Sequence, residues 1–150
     1  MEELIQQLRL LQADAFIYYS KAHGYHWNVE GILFTQFHEM FSEIYTDAYE
    51  SVDDYAEWIR IFGQFAEFDV TKTFATSNVK YDLELSNNPT DMLRSLVMSN
   101  EQIISDLKVA FNMATMINEQ GVANFIADRI TAHEKWRWKM VSSLKTIINN

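Results

Sequence analysis

Residues 34–62 read FTQFHEMFSEIYTDAYESVDDYAEWIRIF. Phe34, Phe41, Tyr45, Ala48, Val52, Ala56 and Trp58/Ile59 recur with the period of an α-helix, so the stretch reads as one long amphipathic helix ending at Phe62. Gly63 follows where a left-handed C-terminal cap belongs. On a wheel of about 100° per residue with Asp53 at zero, the apolar stripe centres near −110°, while Glu39, Glu43, Asp47, Glu50 and Asp54 occupy about +40° to +120°. Core and charge are therefore expected on separate faces. His38 at about −60°, Asp53 at zero and Glu57 near +40° fall on or beside the border between them. A border residue can be held by packing on one side and reached by an ion on the other.

Upstream, Leu4, Leu8, Leu11, Ala15, Tyr18, Ala22 and Tyr25 draw a second stripe that predicts a helix from about Glu2 to about Asn28, with Gly31 marking the turn between the two helices. Downstream, residues 64–88 are rich in Thr, Ser and Asn and hold the alternating segment Val79-Lys80-Tyr81-Asp82-Leu83. A structureless loop of that length is uncommon in a compact domain, so a short helix or an ordered crossover is expected there. Asn88-Pro89-Thr90-Asp91 reads as a helix start, with Asn88 as N-cap, Pro89 at the first helical position and Asp91 favouring the N-terminal dipole. The third long helix carries Leu93, Leu96/Val97, Ile104, Leu107, Phe111, Ala114 and Ile117. Gly121 is expected to separate it from the fourth, whose stripe is Phe125, Ile126, Arg129/Ile130, His133, Trp136, Met140, Leu144 and Ile147. The expected fold is all-α, one domain over residues 1–150: an up-down-down-up four-helix bundle of the ferritin type with a long crossover between its second and third long helices.

Composition removes most other chemistry. The 150 residues include no Cys, which excludes disulfides, thiolate nucleophiles, zinc ribbons and iron–sulfur clusters and leaves His and carboxylates as the strong metal ligands. No apolar run approaches the roughly 20 residues that span a bilayer, and Met1 leads into Glu2, Glu3, Gln6 and Gln7 rather than a basic and then apolar leader, so a cytoplasmic chain with no membrane partner is expected. The net charge of −9 repels polyphosphate, and the chain closes on Ile147-Ile148-Asn149-Asn150 without a Lys-rich extension, so direct DNA binding is not expected.

His26 continues the first stripe, and antiparallel pairing about Gly31 sets it level with His38. A lone His on an apolar stripe is commonly a packed core residue, and an Asp53/Glu57 pair spaced i,i+4 commonly belongs to a solvated face. Two histidines on neighbouring helices beside a border carboxylate pair point instead to a metal site. His38 and Asp53 lie fifteen positions apart on one helix, roughly 22 Å, so they cannot chelate one ion within a chain. If they cooperate, a two-fold axis across the second helix sets the His pair of one chain opposite the Asp53/Glu57 pair of its mate, twice per dimer. Two imidazoles and two carboxylates suit Fe(II), Zn(II) or Mn(II), and the oxygen ligands favour a hard, oxidised product ion. The absence of a Glu-x-x-His motif argues against an iron pair inside one bundle.

His26-Trp27-Asn28-Val29-Glu30-Gly31, followed by Phe34, Phe37-His38, Phe41, Tyr45, Val52-Asp53-Asp54-Tyr55-Ala56-Glu57, Ile59 and Gly63, resembles the Dps family of miniferritins, the DNA-protecting proteins of starved cells. His133-Glu134-Lys135 and Trp138-Lys139-Met140 are similar to the family's closing-helix pattern, so the resemblance covers nearly the whole chain. It implies a dodecameric shell with ferroxidase centres at two-fold interfaces, His26 and His38 being ligands from one subunit and Asp53 and Glu57 from the other. It further implies that hydrogen peroxide, or dioxygen, oxidises Fe(II), with ferric mineral stored in the cavity. Glu39 and Glu43 resemble residues that nucleate mineral, and Trp27 resembles the aromatic residue beside the iron, able to trap one-electron oxidants. Zinc is a possible occupant of the same ligands. The chain departs from the family at Ser42, where Asp is usual, and at Trp58, where Arg is usual; the acidic pore residues are not clearly matched by Glu119, Gln120, Asn124 and Asp128. A cage that sequesters metal without fast oxidation, and a small helical bundle with accidental ligands, are the competing readings.

Overall fold

The computed structural model describes residues 1–82, 84–86 and 88–148. It contains α1 (Glu2–Asn28), α2 (Phe34–Ile61), α3 (Val70–Thr76), α4 (Pro89–Met116) and α5 (Gln120–Ile148), with no strand among the described residues. Leu83 of the alternating segment, Asn87, and the closing Asn149 and Asn150 lie outside the described residues.

Side-chain pairings fix the directions. Tyr19 meets Tyr45 and Tyr49 across α1 and α2, Asn100 meets His133 across α4 and α5, and Gln7 reaches Asp106 while Lys21 reaches Ser99 across α1 and α4. From His26–His38 to Tyr19–Tyr45, from Gln7–Asp106 to Lys21–Ser99 and from Glu101–Arg137 to Lys108–Glu134, one number rises as the other falls, so each pair is antiparallel and the order is up-down-down-up. The stripes meet in one core in which Leu8, Leu11, Phe41, Ile44, Leu93, Leu96 and Leu107 are fully buried. Between α2 and α5 the contact is made by long side chains, including Trp58, which stacks on Phe125 and lies where a Cβ on Gly121 would stand 3.0 Å from its ring.

The two hairpin turns obey different local rules. Gly31 takes φ +113° and Gly63 takes +80°, as their placement after helical stripes predicts. The break between α4 and α5 is not at Gly121, which lies in the first turn of α5. Asn118 at φ +60° makes it, and Glu119 N–H closes the turn on the Ala114 carbonyl. Asn tolerates the left-handed region through its short polar side chain, so Gly121 is free to serve as the socket for Trp58.

The expected crossover helix forms as α3, capped by the Asp69 carboxylate on Thr71 and Lys72 N–H. The rest of the crossover is satisfied by α1. Asp14 accepts from Ser77 Oγ and from the Asn78 and Val79 backbone, while Lys21 Nζ donates to the Lys80 carbonyl and Ser99 and faces Asp82 at 3.5 Å. These two charged residues, both buried on α1, supply the hydrogen bonds that an irregular segment cannot make for itself.

Candidate metal centre

His26 lies in the last turn of α1 and His38 in the second turn of α2. Their rings stack with centroids 3.7 Å apart. Nδ1 of His26 donates to the His38 carbonyl at 2.7 Å, and Nδ1 of His38 donates to the His26 carbonyl at 2.8 Å. A carbonyl can only accept, so each Nδ1 carries the proton and each Nε2 keeps its lone pair in the neutral ring. The His26 carbonyl is available because the last carbonyls of a helix lack an intrahelical partner. The loss of helical hydrogen bonding at the end of α1 thus orients the His38 ring, while the His26 ring is held by a carbonyl inside α2. Metal-binding histidines commonly have their second nitrogen held in this way.

The wall around the pair is aromatic. His38 also stacks on Phe34 at 4.9 Å, and the His26 ring stands at 5.2 Å from Tyr45 in an edge-on arrangement. His23, one turn before, lies between Tyr45 at 4.2 Å and Trp27 at 4.1 Å and shares a hydrogen bond with Tyr19 Oη at 3.3 Å. Burial and the neighbouring His26 hold the His23 pKa below the usual imidazole value. Trp27 is 65% exposed, and its ring packs against His23.

Asp53 and Glu57 are both exposed and one turn apart near the C-terminal end of α2, roughly 22 Å and roughly 28 Å from His38 along the axis. Within one chain, no three His, Asp or Glu side chains converge on a common point among the described residues. The fold therefore brings His26 and His38 together and leaves the carboxylate pair four turns away. Glu39 is exposed, and Glu43 is exposed with Lys139 of α5 at 3.6 Å. Ser42 is half-buried one turn after His38.

Asp47 corrects the expectation of a uniformly solvated acidic face. Its carboxylate takes a bidentate pair of bonds from Arg129 at 2.8 and 2.9 Å and a third from Trp136 Nε1 at 3.1 Å. Burial alone would raise its pKa, but the Arg129 and Trp136 hydrogen bonds prevail and hold it below the usual carboxylate value. Arg129 also faces His133 Nε2 at 3.3 Å, and His133 Nδ1 is bound by Asn100 Oδ1 at 2.7 Å. Burial and the adjacent Arg129 push the His133 pKa down to about 3, so this imidazole is neutral and both its nitrogens are engaged. The signal for this network was Arg129 on the apolar stripe of the last helix. A guanidinium there requires an anion across the bundle.

The ferritin-like domain family matches residues 5–148, and the chain belongs to that family. Within it the chain is of the Dps type, on the evidence of its relatives. The DNA protection during starvation protein of Helicobacter pylori is 26% identical over 91% of this chain and 95% of its own length. The crystal structure of Dps from Staphylococcus aureus is 25% identical, with a TM-score of 0.92 over 96% of each chain. The Dps structure from Vibrio cholerae, described as a member of the ferritin-like diiron-carboxylate superfamily, has a TM-score of 0.90 at 24% identity and covers 95% of this chain and 89% of that one.

Proposed function

We propose that the protein is an iron-storing ferroxidase. His26 and His38 of one subunit and Asp53 and Glu57 of its two-fold neighbour bind Fe(II), hydrogen peroxide or dioxygen oxidises it, and the ferric product is stored as mineral inside a dodecameric shell. The observation that carries this reading is the pair of reciprocal Nδ1–H bonds to the His26 and His38 carbonyls, which leaves two Nε2 lone pairs free at a half-exposed surface. The gap of roughly 22 Å from His38 to Asp53 supports drawing the second half of each site from another chain, and a two-fold operation would supply both halves twice. The diiron-carboxylate description of the Vibrio cholerae neighbour supports iron as the ion.

Each group has a separable task. The imidazoles are neutral donors that fix position, whereas the two carboxylates bring two negative charges to a divalent ion and hold the trivalent product more tightly. Exposed Glu39 and Glu43 extend that acidic field along α2 and nucleate mineral, and Trp27 takes up stray one-electron oxidising equivalents. Complementation is the test. Shells of His26→Ala/His38→Ala and shells of Asp53→Ala/Glu57→Ala should each lose rapid Fe(II) oxidation in stopped flow. Shells co-assembled from both should regain it, because each mixed dimer holds one complete site of its two. Failure of the mixture to recover, with assembly intact by light scattering, rejects the shared site. Ser42, standing where the resemblance expects Asp, favours one rival reading: a cage that binds iron without accelerating its oxidation. Wild-type oxidation no faster than that of free Fe(II) with peroxide selects that reading.

A further inference from the structure

The α2 face that carries His38 and Asp53 also carries Tyr45 and Tyr49, at about −80° and −40° on the same wheel, so the four residues form one continuous strip. Tyr19 of α1 bridges the two tyrosines, with ring centroids 6.4 Å from Tyr45 and 5.2 Å from Tyr49. At one end Tyr45 stands 5.2 Å from the His26 ring. At the other, Tyr49 lies one turn before Asp53 and lines the same surface hollow. An unbroken series of oxidisable rings thus runs between the two half-sites of one chain. Packing between helices and contact with water at Tyr49, which is 61% exposed, account for aromatic rings bearing hydroxyls here, and the three phenols also place oxidisable groups in succession along the groove.

We infer that Tyr45, Tyr19 and Tyr49 form an electron relay joining the two iron sites of a dimer, each of which takes one half from this chain. This rests on the shared-site reading above. Hydrogen peroxide takes one electron from Fe(II) held at the His26/His38 end and a second from the protein as its O–O bond breaks, and with two protons from solvent both oxygens leave as water. Tyr45 supplies the second electron, Tyr19 refills Tyr45, Tyr49 refills Tyr19, and Fe(II) at the Asp53/Glu57 end refills Tyr49. The balance is two Fe(II), one peroxide and two protons to two Fe(III) and two waters. A phenol loses its proton when it loses an electron, and the Tyr19 hydrogen bond to His23 Nδ1 gives that proton a place to go and return from. The consequence is that a singly loaded pair of sites completes a two-electron reduction without releasing hydroxyl radical.

The chain has no cysteine, so one photosensitiser can be placed uniquely. A ruthenium photo-oxidant on Asn28→Cys injects a hole beside Trp27 in metal-free full-length protein, and a nitroxide spin trap followed by peptide mass spectrometry maps where it stops. The relay predicts adducts on Tyr49. Tyr19→Phe should abolish them while adducts at Trp27 and Tyr45 persist, and Tyr49 adducts that survive Tyr19→Phe overturn the relay. Iron-loaded shells give the second arm. With peroxide at half the Fe(II) concentration, Tyr19→Phe should raise spin-trapped hydroxyl radical several-fold over wild type, and an unchanged yield counts against the relay. Loss of the shared-site reading is seen separately, as failed complementation, and leaves the metal-free arm fully decisive.

Discussion

The molecule contains two kinds of histidine setting, and the contrast between them separates structure from function. His133 is buried, with Nδ1 on Asn100 and Nε2 against Arg129, so nothing remains to bind an ion. His26 and His38 have one nitrogen each fixed by a carbonyl and are half-exposed, and their Nε2 atoms make no hydrogen bond among the described residues. His133 and His26 each continue an apolar stripe, and His38 borders one. The number of nitrogens consumed by the protein is what differs. An imidazole whose second nitrogen is spent on the fold is a strut, and one whose second nitrogen is spare is available as a ligand.

The sharpest way to break that contrast is to remove the partner of each. Arg129→Ala leaves the Asp47 carboxylate and His133 Nε2 without their shared cation, and should cost about 3 kcal/mol in urea unfolding, the lower end of what breaking a buried pair costs because Asp47 is partly exposed. His133→Ala comes next, at about 2 kcal/mol, for the cavity and for the buried Asn100 Oδ1 left without its donor. By contrast, His26→Ala should cost about 1 kcal/mol, one hydrogen bond, while removing Fe(II) binding measured by anaerobic titration. If His26→Ala destabilises the fold as much as His133→Ala, the distinction between strut and ligand fails.

Acidity sharpens the comparison on the strut side. His133 is depressed to about 3 from 6.5, so the unfolded chain takes up a proton that the folded one refuses, and stability from this group falls as pH drops from about 6.5 towards 3. Asp14 behaves oppositely. Burial, opposed by Ser77 and reinforced by the nearby Asp106, pushes its pKa from 3.8 up to about 7, so its contribution is full at low pH and is lost as pH rises through about 7. Asp14→Asn should therefore raise the melting temperature at about pH 8 and leave it little changed at about pH 4; a gain confined to acid contradicts the burial argument. The smallest expected effect is at Gly121. Gly121→Ala gains helix propensity of up to about 1 kcal/mol but meets Trp58 at 3.0 Å, so a net loss of roughly 1 kcal/mol in the wild type should become a gain in Trp58→Ala.

Local pattern was sufficient for much of the architecture. Stripes with a 3.6-residue period determined four long helices, the Asn88–Pro89 start was the observed cap of α4, and Gly31 and Gly63 took the positive φ that their positions required. The Gly121 break was misplaced because Asn118 satisfies the same backbone geometry, and a left-handed residue need not be Gly. Asp47 was misread because a wheel records angles around one helix and knows nothing of the helix beside it.

The same division governs the candidate site. Spacing by itself determined that His26 and His38 share a level and that Asp53 and Glu57 lie too far along α2 to join them, because rise per residue is a property of the helix alone. Only the tertiary structure decided which imidazole nitrogens are spent, that His23 and three tyrosines pack together between His26 and Asp53, and that Asp47 turns inward to Arg129. Those facts depend on carbonyls and side chains contributed by a second helix, and no periodicity within one helix can encode what its neighbour places against it.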